Sequence, residues 1–474
     1  MVRRRTKIVA TLGPATDDPV VLANLFDAGV NLVRLNFSHG DADSHRKRLA
    51  MVHSVAAAGN HIIGVLGDLQ GPKIRIERFK DGSVDLDSGD SFVLDMELGT
   101  EDGDQNTVGV TYKNLPNDVK AGDLLLLNDG LIAMSVEKVD GPRIHCKVKR
   151  GGNLSNSKGI NRMGGGLSAE ALTAKDLLDI KLAAELEVDY LAVSFPRSGA
   201  DVERARALLR EAGGAGFLMA KIERAEAIEN IEEIVDVSDA IMVARGDLGV
   251  EIGDAELPGV QKRIIELTRE CDKVVVTATQ MMESMINSAI PTRAEVLDVA
   301  NAVIDGTDAV MLSAETAAGN YPVEAVKAMD RVCLGAERQK MTQVSQHRID
   351  KRFERVDEAI AMATMYTANH LNVKAIVTLT ESGATSRWAS RIRSGKPIFA
   401  VTRKLATRRR VTLYRGVYPV AFDFGNSADG QVTEDLKALL VKHNIVEKGD
   451  WIILTKGALS GVIGGTNAMI IIEI

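Results

Sequence analysis

Cysteine is scarce in this chain: three in 474 residues, at positions 146, 271 and 333, with no CxxC spacing. That excludes a disulfide framework and a thiolate zinc site as organising devices, and it points to a reducing compartment, the cytoplasm. Long apolar runs are missing too. None approaches the roughly 20 residues that span a bilayer. The run after the basic start, Met1 to Lys7, is too short for a signal peptide, and Arg3 to Arg5 read as a solvated arm. Excess positive charge is absent: the net charge is −7, which argues against a nucleic-acid surface or a basic membrane anchor. Neither a GxxxxGKS/T loop nor a GxGxxG loop occurs, so any nucleotide has to be held through metal and side chains.

What is present is 45% apolar and 26% charged, an ordinary globular balance over a length that favours two to four domains. One pattern recurs eight times: a short apolar run that ends in polar residues, usually followed by an amphipathic stretch. The runs are KIVATLG (7–13), LVRLNFS (32–38), IIGVLGD (62–68), YLAVSFP (190–196), FLMAKIE (217–223), AIMVARGD (240–247), VVVTATQ (274–280) and AVMLSAET (309–316). Continuous apolar runs read as strands buried on both faces. Between them lie helix-like segments such as 199–212 and 293–304. Eight such units predict a (β/α)8 TIM barrel, with functional groups at the C-terminal ends of the strands. From about 71 to 163 the texture changes to short Val/Leu/Ile runs between turn dipeptides at 81–82, 88–89, 129–130 and 140–141, the mark of an all-β module inserted after the third strand. Such a module can close over the site as a lid, with Gly151–Gly152 and Gly164–Gly166 as its return hinge. From 343 to 474, helical EAIAMATMYTANHL and the strand-like runs KAIVTLT, PIFAVT, YPVAF and WIILT predict an open α/β domain, leaving 1–70 and 164–342 to the barrel.

The chemistry gathers where the eight runs end. Strand 2 ends on Arg34, Asn36, Ser38 and His39, strand 3 on Asp68, strand 5 on Lys221 and Glu223, strand 6 on Arg245, Gly246 and Asp247, strand 7 on Thr279, and strand 8 on Ser313 and Glu315. Alternation along a strand lets Lys221 and Glu223 face the same way. Glu223 and Asp247 lie on adjacent strands, and two carboxylates beside open positions suit Mg²⁺. Taken singly, each reads more readily as a helix cap or ion-pair partner. Lys221 shifts the balance, because a cation beside a metal is what a transferring phosphoryl group requires. Arg34 and Arg75 add forked phosphate donors. Lys158, in LSNSKGIN, alone reads as a solvated loop lysine, Thr279 could be a satisfied core hydroxyl, and His39 reads as structural. The small residues of Ala244-Arg-Gly-Asp-Leu-Gly expose amides able to hold a carboxylate.

The set TLGPAT, NLVRLNFSHG, GDLQGPKIR, MAKIERAEAIENIEEI, IMVARGDLGVEI, TATQMMESMI, PTRAEVLDVANAV and DGTDAVMLSAETAAGNYP resembles pyruvate kinase, over nearly the whole chain and most strongly in the barrel. The resemblance implies a barrel with an inserted β-barrel lid and a C-terminal α/β domain. It implies phosphoryl transfer from phosphoenolpyruvate to ADP, giving pyruvate and ATP, in a homotetramer. Glu223 and Asp247 look like the Mg²⁺ ligands, with a second Mg²⁺ arriving with the nucleotide. Lys221 looks like the lysine that stabilises the transferring group. Arg34, Arg75 and Lys158 would contact phosphates, with Asn36 and His39 on the nucleotide side. Ala244, Arg245, Gly246, Asp247 and Thr279 would hold the substrate. Asn36, Ser38, Asp68 and the Leu69 carbonyl match the family's K⁺ site, yet Lys73 replaces the glutamate of K⁺-dependent relatives and Leu69 their threonine. Lys73 is therefore expected to substitute for the cation, making K⁺ unnecessary. Thr380, Ser382, Gly383 and Thr385 match a loop that holds the phosphate of an effector. Glu381, where fructose-bisphosphate-activated members carry lysine, argues for a sugar or nucleotide monophosphate. The competing classes are a Mg²⁺-dependent lyase or aldolase and a non-catalytic metabolite sensor.

Overall fold

The computed structural model describes residues 3–343, 352–423, 429–457 and 465–474. Each of the eight apolar runs contains one strand: β1 (Lys7–Thr11), β2 (Leu32–Asn36), β3 (Gly64–Asp68), β4 (Tyr190–Val193), β5 (Phe217–Ile222), β6 (Ala240–Ala244), β7 (Val274–Ala278) and β8 (Ala309–Leu312). They pair in parallel, in chain order, and close when β8 meets β1 with Lys7 opposite Ala309. Alternation explains the apolar runs. Val9, Leu32, Leu66, Met219, Met242 and Met311 belong to one buried cluster, while their neighbours Ile8, Val33, Val65, Leu218, Ile241 and Val310 pack with the surrounding helices. The helices expected at 199–212 and 293–304 run Gly199–Glu211 and Arg293–Asp305, the latter opened by a Thr292/Glu295 capping box.

The inserted segment folds as a six-stranded sheet and a two-stranded sheet around a core of its own. It leaves β3 through Gly71, whose φ is +66°. A Cβ there would lie 2.8 Å from Ser194 Cβ and 2.9 Å from the Phe195 ring, so only glycine fits this neck without displacing them. On the return, the Gly164 amide donates to the Glu251 carbonyl and the Gly166 amide to Glu226 Oε1, which ties the glycine run to the barrel.

The C-terminal region carries a five-stranded sheet. Val417–Ala421, Ile398–Thr402, Ala375–Leu379 and Trp451–Gly457 run parallel in that spatial order, and Thr466–Glu473 is the antiparallel edge. This domain closes the N-terminal end of the barrel. Asp189, Asp239 and Asp308 stand just before the even strands β4, β6 and β8, and each accepts an amide near the start of the preceding strand, from Val65, Leu218 and Val275 respectively. Two of the three also grip the C-terminal domain: Asp189 Oδ1 accepts from Arg409 Nε at 3.2 Å, and Asp308 Oδ2 from Arg391 Nη1 at 2.8 Å. Tyr190 donates its hydroxyl to the Arg410 carbonyl, and one apolar cluster runs from the barrel interior into the C-terminal sheet.

Candidate active site

At the opposite end, a cleft lies between the C-terminal ends of the barrel strands and the inserted module. There β3 delivers Asp68, wholly buried. Arg34 Nε, from β2, donates to Asp68 Oδ2 at 2.6 Å and Arg34 Nη1 to Thr11 Oγ1 at 3.1 Å. Lys221 Nζ, from β5, lies 3.2 Å from Asp68 Oδ1 and 3.1 Å from Glu223 Oε1. The predicted shared facing of Lys221 and Glu223 is thus what the fold contains. Burial works against the Asp68 charge, but the adjoining Lys221 and Arg34 outweigh it and hold the carboxyl below its ordinary range. Burial likewise opposes the Lys221 charge, and Asp68 and Glu223 more than offset it, so the ammonium stays protonated. Glu223 goes the other way. Burial pushes it up to about 6, with Lys221 opposing and the Asp247 and Asp68 charges adding to the rise.

Lys73 is not at Asp68. Its ammonium lies 2.8 Å from Asp247 Oδ1 and 3.7 Å from Asp129 Oδ1 of the inserted module. Asp247 keeps it protonated against the effect of burial. Of the expected monovalent-cation group, Asn36 stands opposite Asp68 in the β2–β3 register. The Asn36 side chain accepts from the Ser38 amide, and the Leu69 carbonyl accepts from Ser194 Oγ at 2.7 Å. Three carboxylates, Asp68, Glu223 and Asp247, are therefore balanced by Arg34, Lys221 and Lys73. Among the described residues no cluster of three or more His, Cys, Asp or Glu side chains could hold a metal unaided. Two carboxylates completed by substrate oxygens are, however, a donor set that Mg²⁺ accepts, and the Asp247 charge is near enough to raise Glu223.

Thr279 follows the end of β7 with φ +65°, a conformation that costs a threonine energy and is concentrated at functional sites. Its hydroxyl accepts the Gly246 amide at 2.8 Å. Arg245 behaves differently from its neighbours. It lines the cleft, but its guanidinium is held by both Asp298 oxygens at 2.7 and 2.6 Å and donates to the Thr279 carbonyl, so it is a paired cation that props the β7 end. A cleft of about 600 Å³ lies beside these groups, with Gly246, Asp247, Thr279 and Glu315 on the barrel side and Asp129 and Arg150 on the module side. Arg75 and Lys158 lie on adjoining backbone segments, the Ile76 amide donating to the Lys158 carbonyl at 2.9 Å. Arg75 pairs with Gly159, and its Nη1 donates to the Ser157 carbonyl. His39 is exposed at the turn after β2.

Sequence reasoning missed Ser194. Its hydroxyl accepts from Lys221 Nζ at 2.6 Å, and the next amide, Phe195, donates to Glu223 Oε2 at 2.9 Å. The signal was present, because Ser194 ends β4 by the rule that found the other strand-end residues. Asp129 read as a mere turn residue, and Asp298 gave no local signal at all.

In the C-terminal domain, Thr380 accepts the Gly383 amide at 2.9 Å, Ser382 lies in the same turn, and Thr385, in the helix that follows, bonds Thr466 at the start of the edge strand at 2.6 Å. Glu381 is flanked by Lys404 at 2.9 Å and Arg403 at 3.5 Å, two cations that no sequence motif had singled out.

Residues 3–326 match the family model of the pyruvate kinase barrel domain and residues 358–472 that of the pyruvate kinase alpha/beta domain. The chain is 54% identical to pyruvate kinase II of Salmonella typhimurium over 476 residues, 99% of each chain. It is 53% identical to a pyruvate kinase of Haemophilus influenzae over 458 residues, 96% of each. A crystal structure of a pyruvate kinase from Cryptosporidium parvum superposes with a TM-score of 0.92 at 34% identity, covering 99% of this chain and 96% of that one. Among the described residues no helix is long and apolar enough to cross a membrane.

Proposed function

The chain belongs to the pyruvate kinase family and is a phosphotransferase, and we propose that the strand-end cluster around Lys221 transfers the phosphoryl group of phosphoenolpyruvate to ADP. The observation that carries this reading is the buried, protonated Lys221, fixed between Asp68 and Glu223 beside Arg34. A preorganised cation stabilises the equatorial oxygens of a loose phosphoryl transition state without reorganising during the step. Glu223 and Asp247 would hold Mg²⁺, which when bound neutralises developing charge on the phosphoryl oxygens. Arg34, Arg75 and Lys158 orient the phosphates. The amides of the turn from Ala244 to Asp247, with Thr279, hold the substrate carboxylate, and Thr279 lies on the side where the enolate takes its proton.

Lys73 supplies a fixed positive charge to the carboxylate cluster, so turnover needs no K⁺. Its position on Asp247 makes this a cluster-wide charge effect, not occupancy of the Asp68 position. The effector is a sugar or nucleotide monophosphate at Thr380, Ser382, Gly383 and Thr385. Two cations against one carboxylate leave one net positive charge there, which suits a single phosphate better than two. A homotetramer is supported by exposed Ile290 and Leu297 on the barrel and by Ile470 and Ile471 on the edge strand.

One experiment tests the set. Pyruvate release, coupled to lactate dehydrogenase, is followed with and without ADP, with and without K⁺, and with fructose 1,6-bisphosphate, glucose 6-phosphate, ribose 5-phosphate and AMP in turn. ADP-dependent release that persists without K⁺ and rises with a monophosphate is expected. Release without ADP would mean a lyase, a strong K⁺ requirement would remove the role of Lys73, and activation by the bisphosphate alone would overturn the effector reading.

A further inference from the structure

Where the barrel floor meets the C-terminal domain, cations outnumber carboxylates. Arg269, Arg391, Arg393 and Arg415 line one small cavity, and Asp308 is the acidic side chain in its wall. Asp308 is already spent: it holds the Arg391 guanidinium and accepts the Val275 and Arg415 amides. Among the described residues, Arg269, Arg393 and Arg415 have no carboxylate within ion-pair distance. They donate to carbonyls instead: Arg269 to that of Arg391, Arg393 to those of Met341, Ile304 and Asp305, and Arg415 to those of Val303 and Thr307. Arg415 is buried, and its second terminal nitrogen, Nη2, has no partner. Gly306, with φ +106°, leaves the wall bare where the groups converge. A Cβ there would lie 2.6 Å from Arg269 Nη1 and 3.0 Å from Arg393 Nη2.

We propose that this joint binds one small inorganic anion of halide size, held by the guanidinium groups of Arg269, Arg393 and Arg415. The cavity measures about 20 Å³, room for one water-sized occupant and too little for a sugar phosphate. A guanidinium keeps its proton under almost all conditions, so crowding several of them in a buried place has to be relieved by an anion or left as repulsion. The crowding is real. Burial, with Arg393, Arg391 and Arg415 as neighbours, pushes Arg269 down to about 9, and burial pushes Arg415 down to about 10 although the Glu337 charge opposes it. Bound there, the anion ties the helix that precedes β7, the turn before β8 and the C-terminal domain into one unit. It lies at the opposite end of the barrel strands from the proposed catalytic site, and it does not depend on the activity proposed there.

The test uses the full chain. Crystals grown from gluconate salts are soaked in bromide, and thermal unfolding is followed in sodium bromide, sodium chloride and sodium gluconate at equal ionic strength. Expected are an anomalous bromide peak among the three guanidinium groups and a saturable rise in Tm of about 2 °C with either halide but not with gluconate. Arg415→Gln and, separately, Arg269→Gln should abolish the peak and flatten the halide response. The untouched protein gives the decisive map whether or not a variant folds. No peak in the cavity, or a peak seen only at molar bromide without saturable stabilisation, overturns the proposal.

Discussion

At the scale of single residues, the site is a set of charges whose protonation is fixed by neighbours. Lys221→Met removes the cation that Asp68 and Glu223 share. Turnover at saturating substrate is expected to drop about a thousandfold, on the order of 4 kcal/mol in the barrier, with a smaller change in KM. Steady-state kinetics measure this, with the folded state checked by circular dichroism. Glu251 gives a pH prediction. It is buried, accepts the Ala225 amide and the Asn161 side chain, and is pushed up by burial to about 7 from an ordinary 4.5. Its neutral form is the one the folded state favours. The stabilisation is complete below about 4.5 and is lost as pH rises through 7. Urea unfolding of the native protein and of Glu251→Gln should therefore diverge, the native protein losing on the order of 2–3 kcal/mol relative to the variant between pH 4.5 and 8. Parallel curves would mean the carboxyl is not titrating there. The residue scale is also where the sequence was most and least readable. Lys221 and Glu223 could be placed together by counting along a strand. Arg245 could not be placed, because the Asp298 that holds its guanidinium is 53 positions distant and reaches it only through the folded barrel.

At the scale of elements, each strand was legible because burial on both faces demands an unbroken apolar run, and each of the eight runs holds one strand. The inserted module was legible from its turns, although the pairing order of its sheets was not, since turn dipeptides fix hairpins but say little about which strands become neighbours later in the chain. The neck at Gly71 joins the two. Gly71→Ala places a methyl against Ser194 and Phe195 and forces an L-residue into φ +66°. A loss of about 1–3 kcal/mol in chemical-denaturation stability is expected, with a several-fold rise in KM because Ser194 touches Lys221. Unchanged KM together with lost stability would show that the neck does not communicate with the cluster.

At the scale of the whole molecule, the floor of the barrel is shared property. Arg391 and Asp308 form a buried, doubly bonded pair between domains. Arg391→Met strands the Asp308 carboxylate, and breaking a buried pair from one side costs about 3–5 kcal/mol. Calorimetry should show the transition moving down and separating into two, while Asp308→Asn with Arg391→Met together recovers part of the loss. A single unshifted transition would mean that the apolar contact alone joins the domains. None of this docking was legible from sequence, because aspartates before strands read as ordinary turn residues.

Those aspartates have a further consequence. Asp189 and Ser194 bracket β4, and Asp308 and Ser313 bracket β8. One end of each strand is grasped by the C-terminal domain, and the other ends in or beside the site proposed for phosphoryl transfer. Four residues of strand span only about 13 Å, so the two ends of each rod are also its terminals. A tilt imposed at the floor would therefore reach the mouth along a stiff element, with no loop in between.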